Sequence, residues 1–350
     1  MKTPELEPRP DSLPDVESLE ELLSRPSEEL VATFRRVPGD FLILGVGGKM
    51  GPSLARMARR ASDAAGTPRR IIGVSRFSDP VLPDYLRAHG VETIQADLLD
   101  EGQLTKLPDA PNVVFMTGRK FGSTGQEALT WAMNAHLPSL ICRRYPRSRM
   151  VAFSTGNIYG LAPVAGGGSI ETDTANPVGE YAMSCLGRER MFEYCSRAAN
   201  IPISLIRLNY ASELRYGVLV DMAERIRAGS SIELAMGYFQ TIWLADANDM
   251  ALRSLEHASS PPLVLNLTGP ELVSVREVAT HLAKLMGKTV SFSGEECPTA
   301  LLSNASKAFG LFGHPRVSAE QIIRWTADWV VRGQPLLGKP THFESREGKF

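Results

Sequence analysis

Short apolar runs alternate with segments of helical period along most of this chain. "FLIL" (Phe41–Leu44) is a continuous apolar run of the length expected for a strand buried on both faces. Glycines follow it, and then a segment in which Leu54, Met57 and Ala58 fall on one helical face. "RRIIGVSR", "VETIQADL", "NVVFMTG", "RMVAFSTGNIYG" and "ISLIRLN" repeat the strand pattern, which gives six expected strands. Strands separated by helical segments predict βαβ units, hence an α/β protein with a parallel sheet. Upstream, "VESLEELLSRPSEELVATFRRV" predicts one or two short helices, with Ser27 as the N-cap of "EELVATF". Residues 1–15, acidic and Pro-rich, are expected to be a mobile arm. The Pro- and Gly-containing tail "RGQPLLGKPTHFESREGKF" argues against a helix. It is open between lying over a cleft, lying on a neighbouring subunit and disorder.

Composition narrows the class further. With 350 residues, 43% of them hydrophobic, the chain can bury a sizeable core, and its net charge of -1 offers no global field for nucleic acid or a membrane surface. The basic run "CRRYPRSR" reads as a solvated helix end. No run approaches the roughly 18 apolar residues of a membrane span. The N-terminus lacks the basic and then apolar pattern of a secretory signal. Cys142, Cys185, Cys195 and Cys297 show no metal or redox spacing, and the histidines form no H-E-x-x-H pattern. A reduced, cytoplasmic protein without a metal is therefore expected.

Candidate chemistry begins after the first apolar run. "GVGGKMG" places Gly45, Gly48 and Gly51 between a strand and a helix, with Lys49 and Met50 in the same turn. Glycine lets the backbone approach a pyrophosphate, and a helix N-terminus offers N–H groups and positive potential to it. The second strand ends in Ser75 and Arg76, where an acidic residue would accept the ribose hydroxyls of NAD. A hydroxyl and a guanidinium suit a ribose 2′-phosphate instead, so NADP is expected, with NAD as the alternative.

These motifs, taken in order, resemble the extended short-chain dehydrogenase/reductase superfamily, of the NAD(P)-dependent epimerase/dehydratase type. "ADLLD" puts Asp97 and Leu98 where that family contacts adenine. "VVFMTG" resembles its fourth strand, ending in Thr117 and Gly118. "FSTGNIYG" puts Thr155 at the catalytic hydroxyl position. "EYAMSCLGRERMFE" resembles the Tyr-x-x-Ser-Lys-x-x-x-Glu helix, with Tyr181 as the tyrosine and Cys185 in place of the lysine. The resemblance spans about residues 40–332. It implies a Rossmann-type doubly wound sheet over 40–208, with 241–265 returning to it. A smaller substrate-binding domain would form from 209–240 and 266–332, between a 1–39 extension and a 333–350 tail.

The resemblance also implies roles. Tyr181 would move a proton as the nicotinamide moves a hydride, and Thr155 would hydrogen-bond the reacting oxygen. Asn157 and Asn209 are expected on the substrate side, and Tyr210, Arg215 and Tyr216 are open between substrate contact and packing roles. Arg119 and Lys120 suit a substrate carboxylate or phosphate, or the cofactor pyrophosphate; Lys120 could replace the absent lysine, and a solvated loop pair is the fourth reading. Gly156-Asn157 stands where a dehydratase carries Asp-Glu. The function expected is an NAD(P)-dependent oxidoreductase or epimerase acting on a sugar-like or polyhydroxylated small molecule, acidic ones included. The alternative is a dinucleotide-binding sensor or structural protein in which Cys185 marks lost or attenuated catalysis. A homodimer is expected, with Leu129, Ala132 and Met133 on a helix that pairs with its symmetry mate.

Overall fold

The computed structural model describes residues 10–120, 122 and 125–348. Its centre is a sheet of seven parallel strands: β1 (Phe41–Leu44), β2 (Ile71–Ser75), β3 (Glu92–Gln95), β4 (Asn112–Phe115), β5 (Arg149–Thr155), β6 (Ile203–Leu208) and β7 (Leu263–Leu267). The order across the sheet is β7-β6-β5-β4-β1-β2-β3. β1 pairs with β2 on one side (Leu44 opposite Val74) and β4 on the other (Leu44 opposite Phe115). The chain order therefore reverses at β1, and such a switch point opens a crevice beyond the strand ends. β7, absent from the six expected strands, pairs with β6 and runs to Leu267, two residues past the expected return at 265.

The alternation of side chains along each strand builds two cores. Phe41 and Ile43 enter one core with Val114 and Val151. Leu42 and Leu44 enter the other with Val113, Phe115 and Phe192. A strand buried on both faces needs no polar position, which is why "FLIL" is apolar throughout.

The N-terminal extension forms two helices, Val16–Leu23 and Glu28–Arg36, and Ser27 caps the second by accepting from Leu30 N at 3.0 Å. Both pack on the sheet domain. Phe34 stacks on Phe41 at 4.7 Å between centroids, and Ser27 N donates to Asp249 Oδ1 at 2.9 Å. The mobile arm expected over 1–15 is corrected for its described part. Leu13 is buried, and Pro10 O accepts from Trp325 Nε1 at 3.0 Å. Residues 1–9 lie outside the described residues.

The tail is docked as well, and it lies over the cleft. Leu337 N donates to Arg215 O at 3.0 Å. Thr341 N donates to Asp221 Oδ2 at 2.7 Å, Glu344 pairs with Arg225 at 2.6 Å and Arg346 Nη1 donates to Thr299 O at 2.7 Å. Phe343 is buried in the main core beside Phe239. Among the described residues, no helix is long and apolar enough to cross a membrane.

Candidate active site

The ends of β1, β4, β5 and β6, the helix Gly179–Ala199 and the tail enclose a cavity of about 770 Å³. The glycine turn forms one wall. Gly45 has φ +89°, and a Cβ there would lie 2.8 Å from Thr117 Oγ1. A Cβ on Gly51 would strike Val46 O at 2.2 Å. Gly48 meets only Gly45 O at 3.4 Å, so its surface is open to a ligand. Gly47, which the sequence reading passed over, is as constrained: its Cβ would lie 2.5 Å from Ser75 Oγ.

The helix Gly51–Ala65 starts at Met50 with no side-chain cap. Gly51 gives its N–H to Gly48 O at 3.1 Å and Pro52 has none, so this helix start offers an anion chiefly the positive end of its dipole. Thr117 Oγ1 is buried without a hydrogen-bond partner among the described residues. The positive start of that helix, an open glycine and an orphaned hydroxyl on one rim fit the pyrophosphate end of a dinucleotide.

Lys49 reaches across the cleft and sets its Nζ 3.3 Å from the centroid of the Tyr216 ring. Burial, together with the charges of Lys120 and Lys339, lowers its ammonium to about 7. Ser75 ends β2 and Arg76 follows it, Asp97 and Leu98 follow β3, and none of the four lines the enclosed cavity. Arg76 is exposed and its carbonyl accepts from Gln95 Nε2 at 3.0 Å. Asp97 turns on itself, its Oδ1 accepting from Leu99 N at 3.0 Å.

The opposite wall carries Thr155 and Tyr181. Thr155 ends β5, and its Oγ1 accepts from Asn157 N at 3.2 Å and Asn157 Nδ2 at 2.9 Å. Its hydroxyl hydrogen stays available to Tyr181, with which it hydrogen-bonds. Burial pushes the Tyr181 pKa well above the ordinary tyrosine value, and Cys185 adds to the rise. Arg188 and the hydrogen bond with Thr155 oppose it. Cys185 is fully buried among Ile158, Tyr159, Tyr181 and Leu186, and burial raises its thiol too.

The adjacent cations after β4 separate. Lys120 lines the cavity, whereas Arg119 does not, and Arg119 Nη2 donates to Gly122 O at 2.8 Å. Gly118 borders the cavity beside them. Of the two roles open to Arg215, the structure shows the packing one. Arg215 is held by Glu20 at 2.7 Å and Glu213 at 3.0 Å and does not line the cavity. Asn209 and Tyr210 do line it, although Asn209 Nδ2 is spent on Leu301 O at 3.2 Å.

One contribution was not foreseen, and one expectation left open is decided. Asn134 lies in a π-helical turn, Ala132–His136, inside the helix that follows β4. Its Oδ1 accepts from Arg188 Nη2 at 2.6 Å and Arg119 N at 2.9 Å, and its Nδ2 donates to Ser184 Oγ at 2.9 Å. It thus joins the Tyr181 helix to the end of β4. A buried Asn between Met133 and Ala135 was the available signal. The tail takes the first of its three readings: Gly338, Lys339, Pro340, Thr341 and His342 line the cavity. Among the described residues, no group of His, Cys, Asp and Glu could hold a metal ion.

A doubly wound parallel sheet with a glycine turn at its switch point defines an α/β protein of the dinucleotide-binding class. The sequence model of the NAD dependent epimerase/dehydratase family matches residues 41–263, and the chain belongs to that family of enzymes. No curated protein matches it by sequence. Among solved structures it is similar to UDP-glucuronic acid 4-epimerase from Bacillus cereus in complex with UDP-glucuronic acid and NAD. There the TM-score is 0.69 at 16% identity, covering 84% of this chain and 99% of that one. UDP-glucose 4-epimerase from Thermotoga maritima with UDP-glucose gives 0.70 at 17%, covering 84% and 99%. dTDP-glucose 4,6-dehydratase from Bacillus anthracis with NAD gives 0.70 at 16%, covering 84% and 96%. These identities show a shared fold.

Proposed function

We propose that the protein is an NAD(P)-dependent oxidoreductase or epimerase acting on a sugar-like or polyhydroxylated substrate, with nucleotide sugars as the first class to test. The observation that carries this reading is that Thr155 and Tyr181 border the same cavity as the open glycine turn. The bound nicotinamide would supply hydride acceptance and donation. Gly48, Lys49 and the uncapped start of the Gly51–Ala65 helix would hold the pyrophosphate. Tyr181 would take or give the proton of the reacting hydroxyl, and Thr155, fixed by Asn157, would hold that oxygen in place. Asn209, Tyr210 and the Gly338–His342 wall would face the substrate.

Arg76, exposed where an acidic residue would select NAD, favours NADP in this reading. Leu129, Trp131, Met183 and Tyr194 are exposed on neighbouring helices, which favours a homodimer through that face. Cys185 favours the second reading, a nucleotide-binding protein with attenuated catalysis, because it raises the Tyr181 pKa where a cation would lower it.

The test is to incubate the protein with NAD or NADP and either UDP-glucose or UDP-glucuronic acid, following the sugar signals by proton NMR. Turnover that falls at least about a hundredfold in Tyr181→Phe supports the first reading. Cofactor binding without conversion of either sugar supports the second. Full activity in Tyr181→Phe refutes Tyr181 chemistry.

A further inference from the structure

A buried phenol is a poor proton donor and acceptor near neutrality unless a cation stands close by. The Tyr181 helix supplies no free-moving one. Position 185, one turn from Tyr181, is a buried cysteine. Arg188 lies further along and its charge favours the Tyr181 anion, but its guanidinium is committed to Phe153 O at 2.8 Å and Asn134 Oδ1 at 2.6 Å, which leaves it poorly placed to bind a ligand.

A second cation, placed to reach a ligand, comes from another element. Lys120 follows β4 and enters the cavity from the facing wall, with its Nζ 5.9 Å from the centroid of the Tyr181 ring. Its charge is felt at Cys185, the position from which a helix residue would reach the same space. Nζ donates to Thr341 O at 3.4 Å, so the tail orients it. Burial lowers this ammonium to about 8, against the attraction of Cys185 and Asp221, and it stays largely charged at pH 7.

Lys120 lines the cavity together with the glycine turn, which suits a pyrophosphate, and the Thr155–Tyr181 pair, which suits the reacting carbon. In a nicotinamide dinucleotide the segment between those two ends is the second ribose, with vicinal hydroxyls. We propose that Lys120 is the lysine of this active site: its ammonium binds the hydroxyls of the nicotinamide ribose and supplies the positive charge beside Tyr181. This rests on the cofactor and Tyr181 reading above. It assigns to the end of β4 a task that the helix sequence leaves undone, and it gives the tail a part in the site, because Thr341 holds the side chain in place.

The test compares two probes, NADH and ADP. ADP carries the adenosine and the diphosphate but ends before the second ribose. Wild type, Lys120→Met and Lys120→Met/Cys185→Lys are titrated with each by calorimetry at pH 7. Charge-assisted hydrogen bonds of this kind correspond to roughly a ten- to hundredfold loss of affinity. That loss is expected for NADH in Lys120→Met, with ADP unchanged. The double variant is expected to regain most of the NADH affinity, because a lysine one helical turn from Tyr181 reaches the same space.

Equal losses for NADH and ADP would mean that Lys120 only maintains the fold of the turn, and would overturn the proposal. Unchanged NADH affinity in Lys120→Met would overturn it too. The two-probe comparison decides the matter even if the double variant does not fold. NADPH replaces NADH throughout if the wild type binds only the phosphorylated cofactor, and wild type that binds neither NADH, NADPH nor ADP overturns the underlying cofactor reading, an outcome distinct from failure at Lys120 alone.

Discussion

Glu189 and Arg207 form a buried pair whose disruption has a calculable cost. Their side chains are 3% and 9% exposed, and Arg207 Nη2 donates to Glu189 Oε2 at 2.8 Å while Nε reaches both carboxylate oxygens at 3.1 and 3.2 Å. Ser154 Oγ also donates to Glu189. The pair therefore ties the residue before Thr155 to the helix that carries Tyr181.

Glu189→Ala strands the guanidinium. Breaking a buried pair typically costs about 3–5 kcal/mol, because the remaining charge is left uncompensated. Arg207 would keep Tyr159 OH at 2.6 Å and Glu171 O at 3.0 Å, which places the expected loss at the lower end, about 3 kcal/mol. Glu189→Gln keeps one acceptor and is expected to lose less. In Arg207→Met the carboxylate is stranded instead. The double variant Glu189→Met/Arg207→Met removes both charges and should recover much of the loss. Urea unfolding at pH 7, extrapolated to zero denaturant, measures each value. A loss under about 1 kcal/mol in Glu189→Ala, or a double variant worse than the sum of the singles, would refute the reasoning.

Three further outcomes are expected. Arg76→Asp should weaken NADPH binding by roughly ten- to hundredfold and leave NADH binding near wild type, and tighter NADH than NADPH binding in the wild type would reject the 2′-phosphate role. Lys49, lowered to about 7, must be protonated to pair with a pyrophosphate, so NADH affinity should fall as pH rises above 7, by up to about tenfold per unit. Fluorescence titration between pH 6 and 9 checks this, and a Lys49→Met profile as steep as wild type would contradict it. Limited proteolysis should spare residues 336–348 in the wild type and release them in Phe343→Ala, which removes the tail's buried anchor. Rapid release from the wild type would contradict the docked tail.

The sequence by itself determined what depends on near neighbours. Period and apolar runs located β1 to β6, a capping serine located the start of Glu28–Arg36, and steric need for glycine located the turn after β1. Each is decided within a few residues, because strand alternation, capping and tight turns are local. The tertiary structure decided what depends on distant partners. Arg119 and Lys120 are adjacent and chemically alike, yet one lines the cavity and the other bonds Gly122, and no local rule distinguishes them. For Arg215 the sequence left substrate contact and packing open, and Glu20, brought in from the N-terminal extension, decides it. The tail shows no period at all. Its path is fixed by Asp221, Arg225 and Thr299, contacts that close loops of 120, 119 and 47 positions. Such contacts form only once the sheet and its helices have brought those residues together, so the tail's place over the cleft belongs to the assembled fold.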